Sequence, residues 1–340
     1  MKFSTTYIIY PDNKLLELAI ENTLGKFAEE LAEIATPDTR VAVADNFLYT
    51  RGNFEQHRFS SRILDRAHEA LEGSLTDEYH DSDPLAWAET QNSLGNILAA
   101  KAQQLRDVEL FEKAIECFKY ALAEYDQEKS ALDWAATQSN LATAKQALGR
   151  QLDSTKWLKE ATDDYTSALL VYSRKETPEQ WAVTMHQLGD TFHTYGKLLK
   201  GNRTFQKAVV AYKNALSEFD ADNNAFELAA THNNCGAVLH HLAESEANPD
   251  RLEEAIRSYE TALTVCLEQQ LPIHLAVLCR VNRSTARGVL AELTKDSALA
   301  EEVADDFELI VECFSNVLQP LCLKHCNEQI NKAKYTNNCV

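Results

Sequence analysis

Glycine and proline are scarce, ten and seven in 340 residues. Sheet-rich folds spend more of both on their turns, so the composition favours helices. Basic residues are outnumbered, 33 Lys plus Arg against 52 Asp plus Glu, for a formal charge of −19. That balance disfavours nucleic acid and anionic membrane as partners and keeps a long surface soluble. No run approaches the ~18 apolar residues of a membrane span. The opening stretch MKFSTTYIIYPDN has neither a long apolar core nor a small-residue cleavage site, which argues against a secretory signal. The eight cysteines are scattered, most within apolar helical patterns where a thiol acts as a small hydrophobe. Motifs for phosphate loops, zinc proteases, serine hydrolases and zinc fingers are missing as well. These absences lead to the expectation of a cytoplasmic, non-enzymatic protein that needs no cofactor and binds neither nucleic acid nor membrane.

What the chain does contain is repetition. WAETQNSLGNILAA from Trp87 returns as WAATQSNLATAKQA from Trp134 and WAVTMHQLGDTFHT from Trp181, each 47 residues on. The same step reaches LAATHNNCGAVLHH at Leu228 and LAVLCRVNRSTARG at Leu275. A second phrase keeps the same interval: AIECFKYAL from Ala114, ATDDYTSAL from Ala161, AVVAYKNAL from Ala208 and AIRSYETAL from Ala255. Both phrases space their apolar residues as a helix does. Asp83-Pro84 and Thr177-Pro178 mark starts of the first helix, each a capping side chain followed by a proline that has no amide to lose. A pair of helices with one apolar stripe each cannot bury both alone, whereas stacked pairs can. Trp87, Trp134 and Trp181 are expected in the core.

LGNIL followed by AIECFKYAL resembles the tetratricopeptide repeat, whose signature is Leu-Gly in the first helix and Ala, aromatic, Ala in the second. The usual period there is ~34 residues, so the 47-residue step implies a first helix about two turns longer. The resemblance implies an all-α fold, a right-handed superhelical solenoid of antiparallel helix pairs. It is good over 83–267 and weaker at 40–73 and 271–318, where Asn282-Arg283 replaces Leu-Gly. The expected layout is a capping helix within 1–38, a solenoid over 39–320 and a frayed tail over 319–340. The solenoid divides into a degenerate unit at 39–75 and full units at 83–126, 130–173, 177–220, 224–267 and 271–318.

In that family the first helices line the concave side, where ligands, usually peptides, lie. Opposite the apolar stripe, each first helix carries polar residues four and three apart. Asn92 and Asn96 come from the first full unit; Ser139, Thr143 and Gln146 from the second; His186, Asp190 and His193 from the third. Asn233 and His240 follow in the fourth, and Asn140, Gln187 and Asn234 lie one residue off the row. An exposed row of this kind can hydrogen-bond an extended peptide backbone. Arg280, Arg283 and Arg287 share a face at its end. They suit either an acidic or carboxylate-bearing ligand or ion pairs with the acidic run at 301–308.

The leading expectation is therefore a scaffold for protein–protein interaction that holds a peptide or partner protein in this groove. One alternative is self-association into a homo-oligomer through an end unit. Another is a ligand or metal sensor built on His186, Asp190, His193 and His240, or on Cys322, His325 and Cys326 with Cys313 upstream; these are ligand types without a known metal spacing.

Overall fold

A computed structural model describes residues 57–315 and 320–337. The expected capping helix at 1–38 and the first part of the degenerate unit, 39–56, lie outside the described residues. The described residues form helices and no strand. Two compact units divide them, 57–173 and 174–337.

The unit spanning 57–173 contains α1 (His57–Ser74), the short α2 (Asp77–Ser82), and the pairs α3 (Pro84–Leu105) with α4 (Val108–Glu124) and α5 (Ala131–Gln151) with α6 (Thr155–Ala168). Asp83 caps α3 by accepting from the Ala86 amide at 3.1 Å, and Pro84 follows it. Asp107 caps α4 through the amides of Glu109 and Leu110. The core joins Leu64 and Leu71 of α1 to Leu94, Ile97 and Leu98 of α3, Phe111, Ile115 and Phe118 of α4, and Leu141 and Leu148 of α5. Each such buried side chain contributes about 1.5–3 kcal/mol.

The unit spanning 174–337 contains the pairs α7 (Pro178–Leu199) with α8 (Asn202–Leu216), α9 (Ala225–Glu246) with α10 (Pro249–Glu268) and α11 (Ile273–Thr294) with α12 (Ser297–Phe314), then α13 (Pro320–Asn337). Residues expected to fray are thus helical as far as Asn337. Cys322, Cys326 and Ile330 recur every four residues and pack on Val303, Phe307 and Ile310.

Four of the first helices carry a residue that lets the partner helix approach closely. A Cβ on Gly95 would stand 2.6 Å from the Phe118 ring, one on Gly189 2.9 Å from Tyr212, and one on Gly236 2.8 Å from Tyr259. The residue at the matching place in α5 is Ala142, paired by position with Tyr165. Each first helix ends on a residue in the left-handed region: Arg106, Lys200, Ala247 and Lys295, with Asp153 just past α5.

The tryptophans do not sit at the core's centre. Trp87, Trp134 and Trp181 are half-buried, whereas the alanine after each, Ala88, Ala135 and Ala182, is wholly buried. Trp134 flanks the stripe and lies against Ala88, Ala121 and Tyr125. The Arg174 guanidinium covers the Trp181 ring at 5.2 Å.

Candidate functional site

The polar rows occur where the spacing put them, but they are not exposed. Within 57–173, Asn96, Ser139, Asn140, Thr143 and Gln146 are buried and Asn92 is half-buried. The Asn140 amide donates to Asn92 Oδ1 at 3.1 Å, tying α5 to α3. Thr143 Oγ1 and Tyr165 Oη lie 2.8 Å apart, and the tyrosine hydroxyl donates to Gln146 at 3.1 Å.

Within 174–337, His186, Gln187, Asp190, His193, Asn233, Asn234 and His240 are also buried. His186 Nδ1 is 2.7 Å from Thr231 Oγ1, linking α7 to α9. The Asn282 amide donates to Asn233 Oδ1 at 2.9 Å, linking α11 to α9. Asn233 in turn donates to Asn234 at 3.3 Å. Tyr212 donates to Asp190 at 3.5 Å. The His193 ring meets Phe205 and His241 edge-on, and His241 stacks on Phe205.

The expectation of a solvent-facing strip is corrected here. A helical period identifies a face but not how many neighbours cover it. α9 packs against its own second helix α10, against α8, and against both α7 and α11. That leaves little of its circumference for water. Burial also acts on the imidazoles: it lowers His232 to about 4 and is the main cause that lowers His240 and His241 to about 3.

The arginines form ion pairs with the acidic run. Arg280 reaches Asp306 at 2.5 Å and Arg283 reaches it at 3.2 Å, while Arg287 reaches Glu302 at 2.5 Å. Ser284 also donates to Asp306. Burial pushes the Asp306 carboxyl up, but the bonds from Ser284 and Arg280 and the charges of Arg280 and Arg283 hold it below its ordinary value. A row already neutralised in this way is not an open receptor for acidic ligands.

Among the described residues no group of three or more His, Cys, Asp or Glu is gathered to hold an ion. Cys322 and Cys326 are buried in an apolar cluster, His325 lies 2.9 Å from Thr285 Oγ1, and Cys313 is exposed.

Two features escaped the sequence reading. Lys145 is buried in α5, with Asp164 at 2.7 Å and Glu160 at 3.4 Å. Its signal was a charge at the place that other copies fill with Leu98, Phe192, Leu239 and Ala286. The second is a recurring exposed leucine where the first helix ends: Leu105 (66% exposed), Leu152 (47%), Leu199 (49%) and Leu293 (39%).

The chain is a helical repeat protein of the all-α solenoid class. The crystal structure of BtubC (BKLC) from P. vanneervenii is similar to it with a TM-score of 0.50 and 19% identity, covering 76% of this chain and 94% of that one. A circular tandem repeat protein with novel repeat topology and enhanced subunit contact surfaces aligns at 14% identity and a TM-score of 0.33, covering 94% of this chain and 83% of that one. At 19% identity the likeness to BtubC concerns the fold alone. No family model matches the chain, and no curated protein matches it in sequence. Among the described residues no helix is long and apolar enough to cross a membrane.

Proposed function

We propose that this chain is a non-enzymatic interaction module of the tetratricopeptide type, a cytoplasmic scaffold that holds a peptide or a segment of a partner protein along its first helices. The observation that carries the reading is the recurrence of uncharged amides, hydroxyls and imidazoles at matching places on these helices, in a chain of net charge −19. Such side chains offer donors and acceptors, and an extended peptide presents one N–H and one C=O per residue. Because the rows are buried, a bound segment has to enter among the first helices and exchange its hydrogen bonds for those the rows now make. Backbone recognition of this kind selects an extended shape above any particular charge.

The test is selection from a library of disordered peptides on the full chain, followed by titration against Asn92→Ala with Asn140→Ala. Removing both members of the Asn92–Asn140 bond leaves no orphaned amide, so the melting temperature changes little. Losing one or two hydrogen bonds to the ligand weakens binding about tenfold. A library without binders, or binders held equally by the variant, overturns the proposal.

The exposed leucines favour a second reading, self-association or capture of an apolar partner at the ends of the first helices. Sedimentation of the wild type against Leu105→Glu with Leu152→Glu tests it. A wild type that stays monomeric at high concentration removes the self-association form.

A further inference from the structure

The six-residue helix α2 has no buried residue, and its His80 lies against the hairpin α3/α4. The His80 ring meets the Trp87 indole with centroids 4.4 Å apart, and its Nε2 is 3.1 Å from Glu124 Oε1. Tyr120, 54% exposed, stands edge-on to Trp87 at 6.3 Å. The His80 and Glu124 side chains keep 38% and 28% of their surface in water. Exposed Asp77, Glu78, Asp81 and Asp83 flank His80 in the chain.

Two 47-residue steps on, the places of His80, Trp87 and Glu124 are taken by Arg174, Trp181 and Glu218. The Arg174 guanidinium covers the Trp181 ring at 5.2 Å, and its Nε and Nη2 donate to Glu218 Oε1 at 2.8 and 2.5 Å. The intervening repeat keeps Trp134 but has Gln127 and Val171 at the other two places. An indole and a carboxylate in this arrangement therefore hold a guanidinium at Trp181 and an imidazole at Trp87. Through Nε2 the imidazole brings Glu124 one N–H at most. A guanidinium brings two, a permanent charge and a plane that lies flat on an indole. Trp87 and Glu124 are thus matched better by a guanidinium than by the group they now hold.

We propose that Trp87 and Glu124 form a receptor for an arginine side chain of a partner protein, which takes the place His80 now fills. His80 can yield that place because no residue of α2 is buried, so turning the ring outward opens no core. The incoming arginine meets Trp87 and Glu124 as Arg174 meets Trp181 and Glu218, with the Tyr120 ring beside it. The acidic residues of α2 draw a cation towards the site. The receptor uses none of the polar rows and so does not depend on the peptide reading.

Titration of the full chain with Nα-acetylarginine amide, followed by NMR at the indole N–H groups, provides the test. The four tryptophans give four such signals, each assigned by changing one tryptophan to phenylalanine. In the wild type the Trp87 signal shifts to saturation, while the Trp181 signal stays put because Arg174 fills its site. Arg174→Ala makes the Trp181 signal respond as well. His80→Arg fills the first site from within and abolishes the Trp87 shift, and Glu124→Gln weakens binding about fivefold. His80 and Glu124 are both part-exposed, so these variants melt near the wild type. Nα-acetyllysine amide, whose ammonium has no plane to lay on an indole, binds more weakly. A Trp87 signal that never saturates, that still shifts in His80→Arg, or that answers the lysine analogue equally overturns the proposal. So does an Arg174→Ala chain whose Trp181 signal stays still.

Discussion

Arg283 and Asp306 occupy in the last helix pair the places that Gly236 and Tyr259 hold one repeat earlier, and they meet there as an ion pair at 3.2 Å. In three of the earlier pairs a ring lies on the bare backbone of a glycine. In the last, a guanidinium fills the gap the glycine left and a carboxylate replaces the ring. Either residue alone would fit its neighbour less well: Arg283 beside a tyrosine would overfill the slot, and Asp306 over a glycine would keep Arg280 but lose the second of its two guanidiniums.

This relationship is testable by a double-mutant cycle. Asp306→Tyr alone is expected to destabilise by about 2–4 kcal/mol, through overpacking and the loss of a carboxylate from Arg280 and Arg283. Adding Arg283→Gly reopens the slot, and Ser284 then stands where Thr143 meets the Tyr165 hydroxyl. The double variant recovers at least about 1 kcal/mol relative to the sum of the single changes. Urea denaturation of the four proteins measures the coupling, and strict additivity refutes the shared slot.

The glycine slots give a second prediction. Alanine normally favours a helix over glycine by about 1 kcal/mol. At Gly236 the added methyl would lie 2.8 Å from the wholly buried Tyr259 ring, which has nowhere to move. Gly236→Ala is expected to lose about 1–3 kcal/mol net despite its better propensity. An unchanged or raised melting temperature contradicts that packing.

Tyr259 supplies the third. Its hydroxyl is buried and has no hydrogen-bond partner among the described residues. The residue aligned with Thr143 is here Ala237. Ala237→Ser restores a partner and stabilises by about 0.5–1.5 kcal/mol. Tyr259→Phe is neutral or stabilising, while Tyr165→Phe removes the hydroxyl that Thr143 and Gln146 meet and costs about 1 kcal/mol. Calorimetry of the three variants decides it.

Acid should loosen the unit 174–337. His232, lowered to about 4, and His240 and His241, lowered to about 3, stay neutral in the fold below the usual 6.5. In the unfolded chain they take up protons from about 6.5 downward, so their contribution is complete above that pH and is lost as pH falls towards the folded values. Asp306, held low, adds a further loss as pH falls through its own folded value. Stability measured from pH 7 to 4 should decline, and His232→Gln should shallow the slope.

The starts of α3 and α7 were legible because a capping residue and a proline stand together at Asp83-Pro84 and Thr177-Pro178, two 47-residue steps apart. The polar side of those helices was legible as a stripe, but its burial was not, since His186 and Asn233 are covered by other helices that local spacing does not describe. Trp134 was misread because size suggested the core, whereas the wholly buried place belongs to the neighbouring Ala135. The arginines were readable only by aligning both helices at once: Arg283 falls on the glycine column and Asp306 on the aromatic column.

The joints after the first helices share a backbone shape but not a residue. Arg106, Asp153, Lys200, Ala247 and Lys295 include three cations, an anion and a bare methyl, yet each adopts a backbone shape that costs an ordinary side chain about 1–2 kcal/mol, and none is glycine. What the repeats hold constant at these joints is a bend in the main chain, more uniform than the residue that makes it.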